Sequence, residues 1–344
     1  MVVGLTADLD TKPYVEPDAL IGYRYIAGAR MSLPRPGGGR YDLAVNSAGI
    51  RSDREYSYDK PYGVRRIIVC GDSMAAGQFV SNSQRFSEIL ERRLPHLEVL
   101  NLSLEGSGTD QQVLLYEHVG MRYEHDLVML LPFLQNIRRN LVGWREATDP
   151  RTGERVRRPK PRFELVDGDL ILRPPPDAQL APLASAHEET DTPASWTTSC
   201  RAALSRLPGA RLAKTALYSL VPWEPFPEYR DPAGPAWLLM AALIHRLKQL
   251  ADGRPLIVAP TFYSSYVQFR MARHYWHRFT SLTDTPRLHT IDLLPYFLRA
   301  GQDAVRCFQD PFDMHFSAYG HLVLADAIEA ELVRVGSPCA SPQS

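Results

Sequence analysis

The sequence predicts an α/β fold: a three-layer sandwich around a five-stranded parallel sheet, with an N-terminal extension and one inserted segment. Two observations carry this. Five short β-prone runs are apolar on both faces, the pattern of central strands in a parallel sheet rather than half-exposed antiparallel ones. Helical patterns fall between those runs, and alternation of strand and helix is what such a sandwich requires.

Taken in order, residues 1–62 are rich in Gly, Pro and Tyr and read as an irregular or short-stranded extension. Arg66-Ile-Ile-Val-Cys70 is the first core strand, after which Phe86, Ile89, Leu90 and Leu94 share one helical face. Val99-Leu-Asn-Leu102 is the second, followed by a helix carrying Val113, Leu114, Tyr116 and Val119. Asp126-Leu-Val-Met-Leu-Leu131 is the third. Residues 141–235 then interrupt the alternation and hold half of the 28 prolines. Inside them, two β-prone arms between Arg162 and Leu172 flank Asp167-Gly168, a dipeptide favoured in tight hairpin turns. A segment this long after a core strand is expected to be a lid or substrate-binding subdomain; the competing reading is a structural excursion remote from the site. Residues 237–250 form a helix before Leu256-Ile-Val-Ala259, the fourth strand. His289-Thr-Ile-Asp-Leu293 is the fifth, and a helix over 319–335 closes the chain. The expected layout is an extension (1–62), a core (63–140 and 236–336) and an insertion (141–235).

Lys plus Arg and Asp plus Glu both number 39, so global charge points to neither nucleic acid nor an anionic membrane surface. The N-terminus is acidic and lacks a basic start followed by an apolar run, and no stretch approaches the ~20 apolar residues of a membrane span. The expectation is a cytoplasmic protein. Cys70, Cys200, Cys307 and Cys339 are scattered without a CxxC pair, so neither a disulfide framework nor a zinc site follows. His274-Tyr-Trp-His277 lacks a further ligand at metal spacing; no metal or other cofactor is expected. The basic run Arg151, Arg155, Arg157, Arg158, Lys160 and Arg162 reads as a solvated loop face, with contact to an anionic substrate as the alternative.

Four groups carry chemistry. Val69-Cys-Gly-Asp-Ser73 ends the first strand, and a serine there projects into the crevice where α/β sheets bind ligands. Asn101-Leu-Ser-Leu-Glu-Gly106-Ser-Gly-Thr-Asp110 follows the second; glycine there lets the backbone approach a ligand and present an N–H. A dinucleotide loop is excluded, because position 111 is Gln and no phosphate-loop lysine is present. Leu131-Pro-Phe-Leu-Gln-Asn136 ends the third strand, placing an amide where it can donate to developing negative charge. Asp310-Pro-Phe-Asp313-Met-His315 precedes the last helix, and an upstream carboxylate can hold a histidine in one tautomer. Each group alone has a structural alternative, as a helix cap, a turn or a packed histidine. Together they converge on one edge of one sheet.

In this order the four groups resemble the SGNH, or GDSL-type, hydrolases. The resemblance covers roughly residues 40–140 and 250–335 and includes the lead-in Asn46-Ser-Ala-Gly-Ile-Arg51 and the Asp167-Gly168 hairpin. It implies a flavodoxin-like sandwich, Ser73 as nucleophile, His315 as general base, and an oxyanion hole of Ser73, Gly106 and Asn136. Two positions depart from the family pattern: the residue after Asn136 is Ile137, and the residue three before His315 is Phe312. Asp313 is the expected third member of the triad, with Asp310 as runner-up.

The expected activity is hydrolysis of a carboxyl ester through an acyl-enzyme, with a short acyl group on a sugar or small metabolite as substrate. Acyl transfer from the same intermediate, and a silent member that binds a ligand in the crevice, are the alternatives.

Overall fold

The computed structural model describes residues 12–148, 155–176, 181–182, 223–269 and 271–334. Two hairpins open the chain, β1 (Val15–Asp18) with β2 (Gly22–Tyr25), and β3 (Arg30–Pro34) with β4 (Arg40–Ala44). The core strands β5 (Arg65–Gly71), β6 (Leu97–Asn101) and β7 (Leu127–Leu131) follow. Next come β8 (Trp144–Thr148), β9 (Arg155–Pro159), β10 (Arg162–Val166), β11 (Asp169–Arg173) and β12 (Ala181–Pro182), then β13 (Leu256–Val258) and β14 (Leu288–Thr290).

The central sheet has five strands in the order β14-β13-β7-β5-β6, every neighbouring pair parallel. Counted along the chain, this is the flavodoxin-like order 2-1-3-4-5. Helices cover the sheet: α1 (Ser73–Ala76), α2 (Phe86–Arg93), α3 (Thr109–His118), α4 (Asn136–Arg139), α5 (Pro235–Leu250), α6 (Ser265–Gln268), α7 (His274–Thr280), α8 (Leu294–Leu298) and α9 (Ala318–Arg334). Burial on both faces explains the unbroken apolar runs, since every residue of β6 and β7 is buried. The charge at the start of β5 is compensated. Arg66 donates twice to Glu98 Oε2, at 2.9 and 2.7 Å, and also to the carbonyls of Tyr58 and Glu124.

Two expectations need adjustment, the end of the fifth strand and the basic run. The fifth strand is Leu288–Thr290 and stops short of Leu293, because Asp292 Oδ1 accepts from Leu294 N at 3.3 Å and Pro295 opens a helix there. The short-stranded extension is present as β1–β4, and its Tyr14, Ile21, Tyr23, Tyr25, Tyr41 and Leu43 join the apolar cluster formed by the sheet. The basic run is not simply a solvated face, since Lys160 is buried and pairs with Asp110. The hairpin around Asp167-Gly168 is present as β10–β11. Residues 183–222 of the insertion lie outside the described residues, as do Cys200 and Cys339.

Candidate active site

The sheet order creates the site. The chain leaves β5 towards β6 on one side and later places β7 on the other, so the connections diverge and a crevice opens at the strands' C-terminal ends. Ser73, Gly106 and Asn136 each follow one of these three strands.

Ser73 is the first residue of α1, and Asp72 caps that helix by accepting from Met74 N at 3.0 Å. The N–H groups of a helix's first turn have no partner within the helix, so the Ser73 N–H has no acceptor in α1. Arg51 holds the other end of the turn. Its buried guanidinium donates to the carbonyls of Ala76, Gly77 and Val80, at 2.9, 2.9 and 2.6 Å, and to Asn82 Oδ1 at 3.0 Å. This is the physical content of the lead-in motif that ends at Arg51.

The second loop is laid against the first. Leu104 N donates to Gly71 O at 3.0 Å, and Asn101 Nδ2 reaches Ala75 O at 2.9 Å. Gly106 adopts φ +84°, a conformation that glycine enters without the Cβ penalty. The extension clamps its neighbour Glu105. Tyr14 Oη donates to Glu105 Oε2 at 2.7 Å, Tyr23 Oη donates to the Glu105 carbonyl at 2.9 Å, and Lys12 lies 3.1 Å from the carboxylate. Burial alone would raise Glu105, yet Lys12, Arg51 and Tyr14 together bring its pKa below the ordinary value.

Asn136 opens α4 after β7. Its Oδ1 accepts from Arg139 at 3.2 Å, while its buried Nδ2 has no hydrogen-bond partner among the described residues. A buried amide donor without a partner is costly unless a ligand supplies the acceptor. Arg139 also donates to Asp72 Oδ2 at 2.7 Å and to the Ser107 carbonyl at 3.3 Å. One guanidinium therefore ties together the loops that carry Ser73, Gly106 and Asn136.

His315 arrives from the loop before α9. Gln309 N donates to His315 O at 2.8 Å and Asp313 N donates to Gln309 O at 3.1 Å, closing a turn that brings Asp313 back onto the ring. His315 Nδ1 is hydrogen-bonded to Asp313 Oδ1, which also accepts from His315 N at 2.9 Å. His315 Nε2 lies 2.7 Å from Ser73 Oγ. Burial tends to raise Asp313, but the hydrogen bonds and charge of His315 outweigh it and keep the carboxyl below its usual range. An ionised Asp313 accepts from Nδ1–H and leaves Nε2 as the acceptor for the serine proton. Phe79, itself at φ +69°, packs its ring edge-on to His315 at 5.5 Å.

Asp310 is not part of this array. Its Oδ2 accepts from Ser264 at 3.0 Å and from Gln268 at 2.8 Å. His274 is hydrogen-bonded to Glu224 at 2.7 Å, and among the described residues no group of three His, Cys, Asp or Glu is placed to hold a metal. Among them, too, no helix is long and apolar enough to cross a membrane. Sequence reasoning missed Arg139, Tyr23 and the role of Glu105. Arg139 had one available signal, its i+3 spacing from Asn136 on a helix.

Fold and site together define the class: a flavodoxin-like α/β sandwich with a hydrogen-bonded Ser–His–Asp array at its topological switch point. No family model and no curated protein matches the chain. Among solved structures it is similar to TesA, at 10% identity and a TM-score of 0.43 over 79% of this chain and 99% of that one. It is also similar to a member of the lipolytic protein G-D-S-L family from Veillonella parvula, at 10% identity and a TM-score of 0.44 over 79% of this chain and 100% of that one. A catalytic mutant of Axe2, an acetylxylan esterase from Geobacillus stearothermophilus, aligns at 12% identity and a TM-score of 0.41 over 83% of this chain and 100% of that one. At these identities and scores the likeness assigns no activity, and the geometry alone carries the functional argument.

Proposed function

We propose that the chain is an SGNH-type serine hydrolase that cleaves a carboxyl ester through an acyl-Ser73 intermediate. The observation that supports it most is the continuous path from Asp313 through His315 to Ser73 Oγ, on the sheet edge that also carries the unpartnered Nδ2 of Asn136. Ser73 is a weak nucleophile at its free pKa, so His315 Nε2 takes its proton as Oγ attacks the acyl carbon. The carbonyl oxygen becomes an oxyanion and accepts from Ser73 N–H, Gly106 N–H and Asn136 Nδ2. Loss of one such donor costs about two to three orders of magnitude in rate. His315 then gives its proton to the leaving alcohol, and water attacks the acyl-serine by the reverse sequence. The substrate proposed is a short acyl ester, such as an acetate, of a sugar or small metabolite.

The test is a fluorophosphonate label mapped by mass spectrometry, combined with turnover of p-nitrophenyl esters of increasing acyl length. Labelling at Ser73 that disappears in Ser73→Ala, together with turnover, supports the reading. Full turnover by Ser73→Ala refutes it.

A further inference from the structure

The ribbon β8–β9 returns the chain to the site soon after α4. In its register Arg145 stands opposite Arg158, so both side chains leave the ribbon on one face, the face that also carries the buried Val156. Like charges placed directly opposite each other destabilise an antiparallel pair. The Arg145 guanidinium covers the Tyr23 ring at 3.6 Å from its centroid. Its Nη1 lies 3.9 Å from the point where a Cβ on Gly106 would sit, so the charge borders the loop of the oxyanion donor.

Among the described residues, neither arginine meets a carboxylate. Of the neighbouring cations, Lys160 has Asp110, Arg139 has Asp72, Arg162 has Glu164 and Arg138 has Glu228, while Arg157 stacks over the Trp144 ring. Among the described residues no carboxylate forms an ion pair with Arg145 or Arg158. Glu105, the acid nearest Gly106 in the chain, is fully buried and committed to Lys12, Arg51 and Tyr14. Tyr23 supplies no charge, since burial pushes its phenol up to about 12. Burial and the charge of Arg158 together hold Arg145 below its ordinary pKa, yet an arginine remains protonated at neutral pH. The ring of Tyr23 occupies the face of the guanidinium, and among the described residues its N–H edge has no acceptor; a planar or tetrahedral oxyanion fits that fork in bidentate fashion.

We infer that Arg145 and Arg158 form an anion-binding subsite beside the Gly106 loop, and that the ester substrate carries a carboxylate, sulfate or phosphate group a few bonds from the scissile ester. This rests on Ser73 being the nucleophile and narrows the substrate class of that same site. An anion held there relieves the repulsion between the two guanidinium groups and orients the acyl carbon towards Ser73.

The test compares isosteric esters with and without charge, using the full chain. p-Nitrophenyl hemisuccinate against p-nitrophenyl butyrate places the carboxylate on the acyl side. 4-Acetoxybenzoate against its methyl ester places it on the alcohol side, and 4-acetoxybenzenesulfonate against that methyl ester tests sulfonate. The charged member of at least one pair should show a kcat/KM higher by about tenfold or more, the effect of one charge-assisted hydrogen bond. Arg145→Gln and Arg158→Gln should each bring that ratio towards one, while Arg145→Lys should retain part of it. Added salt should reduce the preference in the wild type. A wild-type ratio near one in every pair, or equal losses on charged and neutral esters in the variants, overturns the subsite. Calorimetry on Ser73→Ala separates the two readings, with monomethyl succinate against dimethyl succinate as probes. Selective binding of the anion that Arg145→Gln removes sustains the subsite even if no ester is turned over. Turnover without selectivity for charge leaves the hydrolase standing and sinks the subsite.

Discussion

Arg139 Nη1 donates to Asp72 Oδ2 at 2.7 Å, joining the helix that begins at Asn136 to the residue immediately before Ser73. Burial pushes the Asp72 carboxyl up, and the Arg139 charge only partly offsets it. The same guanidinium orients the Asn136 amide through Oδ1. Arg139→Gln is therefore expected to lower kcat by about one to two orders of magnitude, part of the cost of losing a whole oxyanion donor, with little change in KM. Arg139→Lys should recover some of that loss. A change confined to KM would make Arg139 a substrate-binding residue instead.

Asn136→Ala removes the unpartnered Nδ2 and with it one donor that acts only once the oxyanion exists. Steady-state kinetics should show kcat lower by roughly 10²–10³-fold at nearly constant KM. An unchanged kcat would place the oxyanion elsewhere.

Asp313→Asn and Asp310→Asn should behave differently. Asp313 holds His315 Nδ1, whereas Asp310 is occupied by Ser264 and Gln268. An Asn at 313 favours the wrong tautomer and should slow acylation by roughly 10³–10⁴-fold. Asp310→Asn should keep near wild-type turnover and show its effect in the melting temperature. Crippled turnover in Asp310→Asn with a normal Asp313→Asn would reverse the assignment.

His321 predicts a pH effect on stability. Its Nδ1 accepts from Phe86 N at 3.3 Å at the start of α2, its ring is stacked on Phe86, and burial pushes its pKa down to about 3 from 6.5. Between those values the unfolded chain binds a proton that the folded chain refuses. Stability should therefore fall as pH drops from 6.5 towards 3, by about 1.4 kcal/mol per unit from this group. Urea midpoints measured across that window should fall less steeply in His321→Gln, which keeps an acceptor without the titration.

Gly320 fixes the approach of α9 to the histidine loop. A Cβ there would stand 1.9 Å from the Cys307 carbonyl oxygen, which also accepts from Ser317 N at 2.9 Å. Gly320→Ala should cost about 1–3 kcal/mol by overpacking and slow turnover by displacing His315. Wild-type melting and kinetics together would show that the helix yields without moving the loop.

The sheet was legible in the sequence because strands buried on both faces are largely apolar: β7 is apolar throughout, and β5 and β6 carry apolar runs interrupted only by paired or hydrogen-bonded polar groups such as Arg66, Glu98 and Asn101. The residues of the Ser–His–Asp array were legible because strand ends in such a sheet share one edge, so four short motifs point to one crevice. Asp313 was preferred to Asp310 from the turn that residues 310–317 must make, and the structure pairs it with His315; the partners of Arg51, Glu105 and Arg139 were not legible. An arginine in sequence is a cation without an address, and its partner is fixed by contacts between segments far apart in the chain. Arg139 meets Asp72 from 67 residues away, and Tyr14 meets Glu105 from 91. The extension read as irregular or short-stranded, and no local pattern records that its tyrosines hold Glu105 beside Gly106. Local periodicity determined which segments form the sheet and which edge carries chemistry. Only the tertiary structure decided which charges are neutralised and which donors stay free, because desolvation and pairing depend on what the fold brings within a few ångströms.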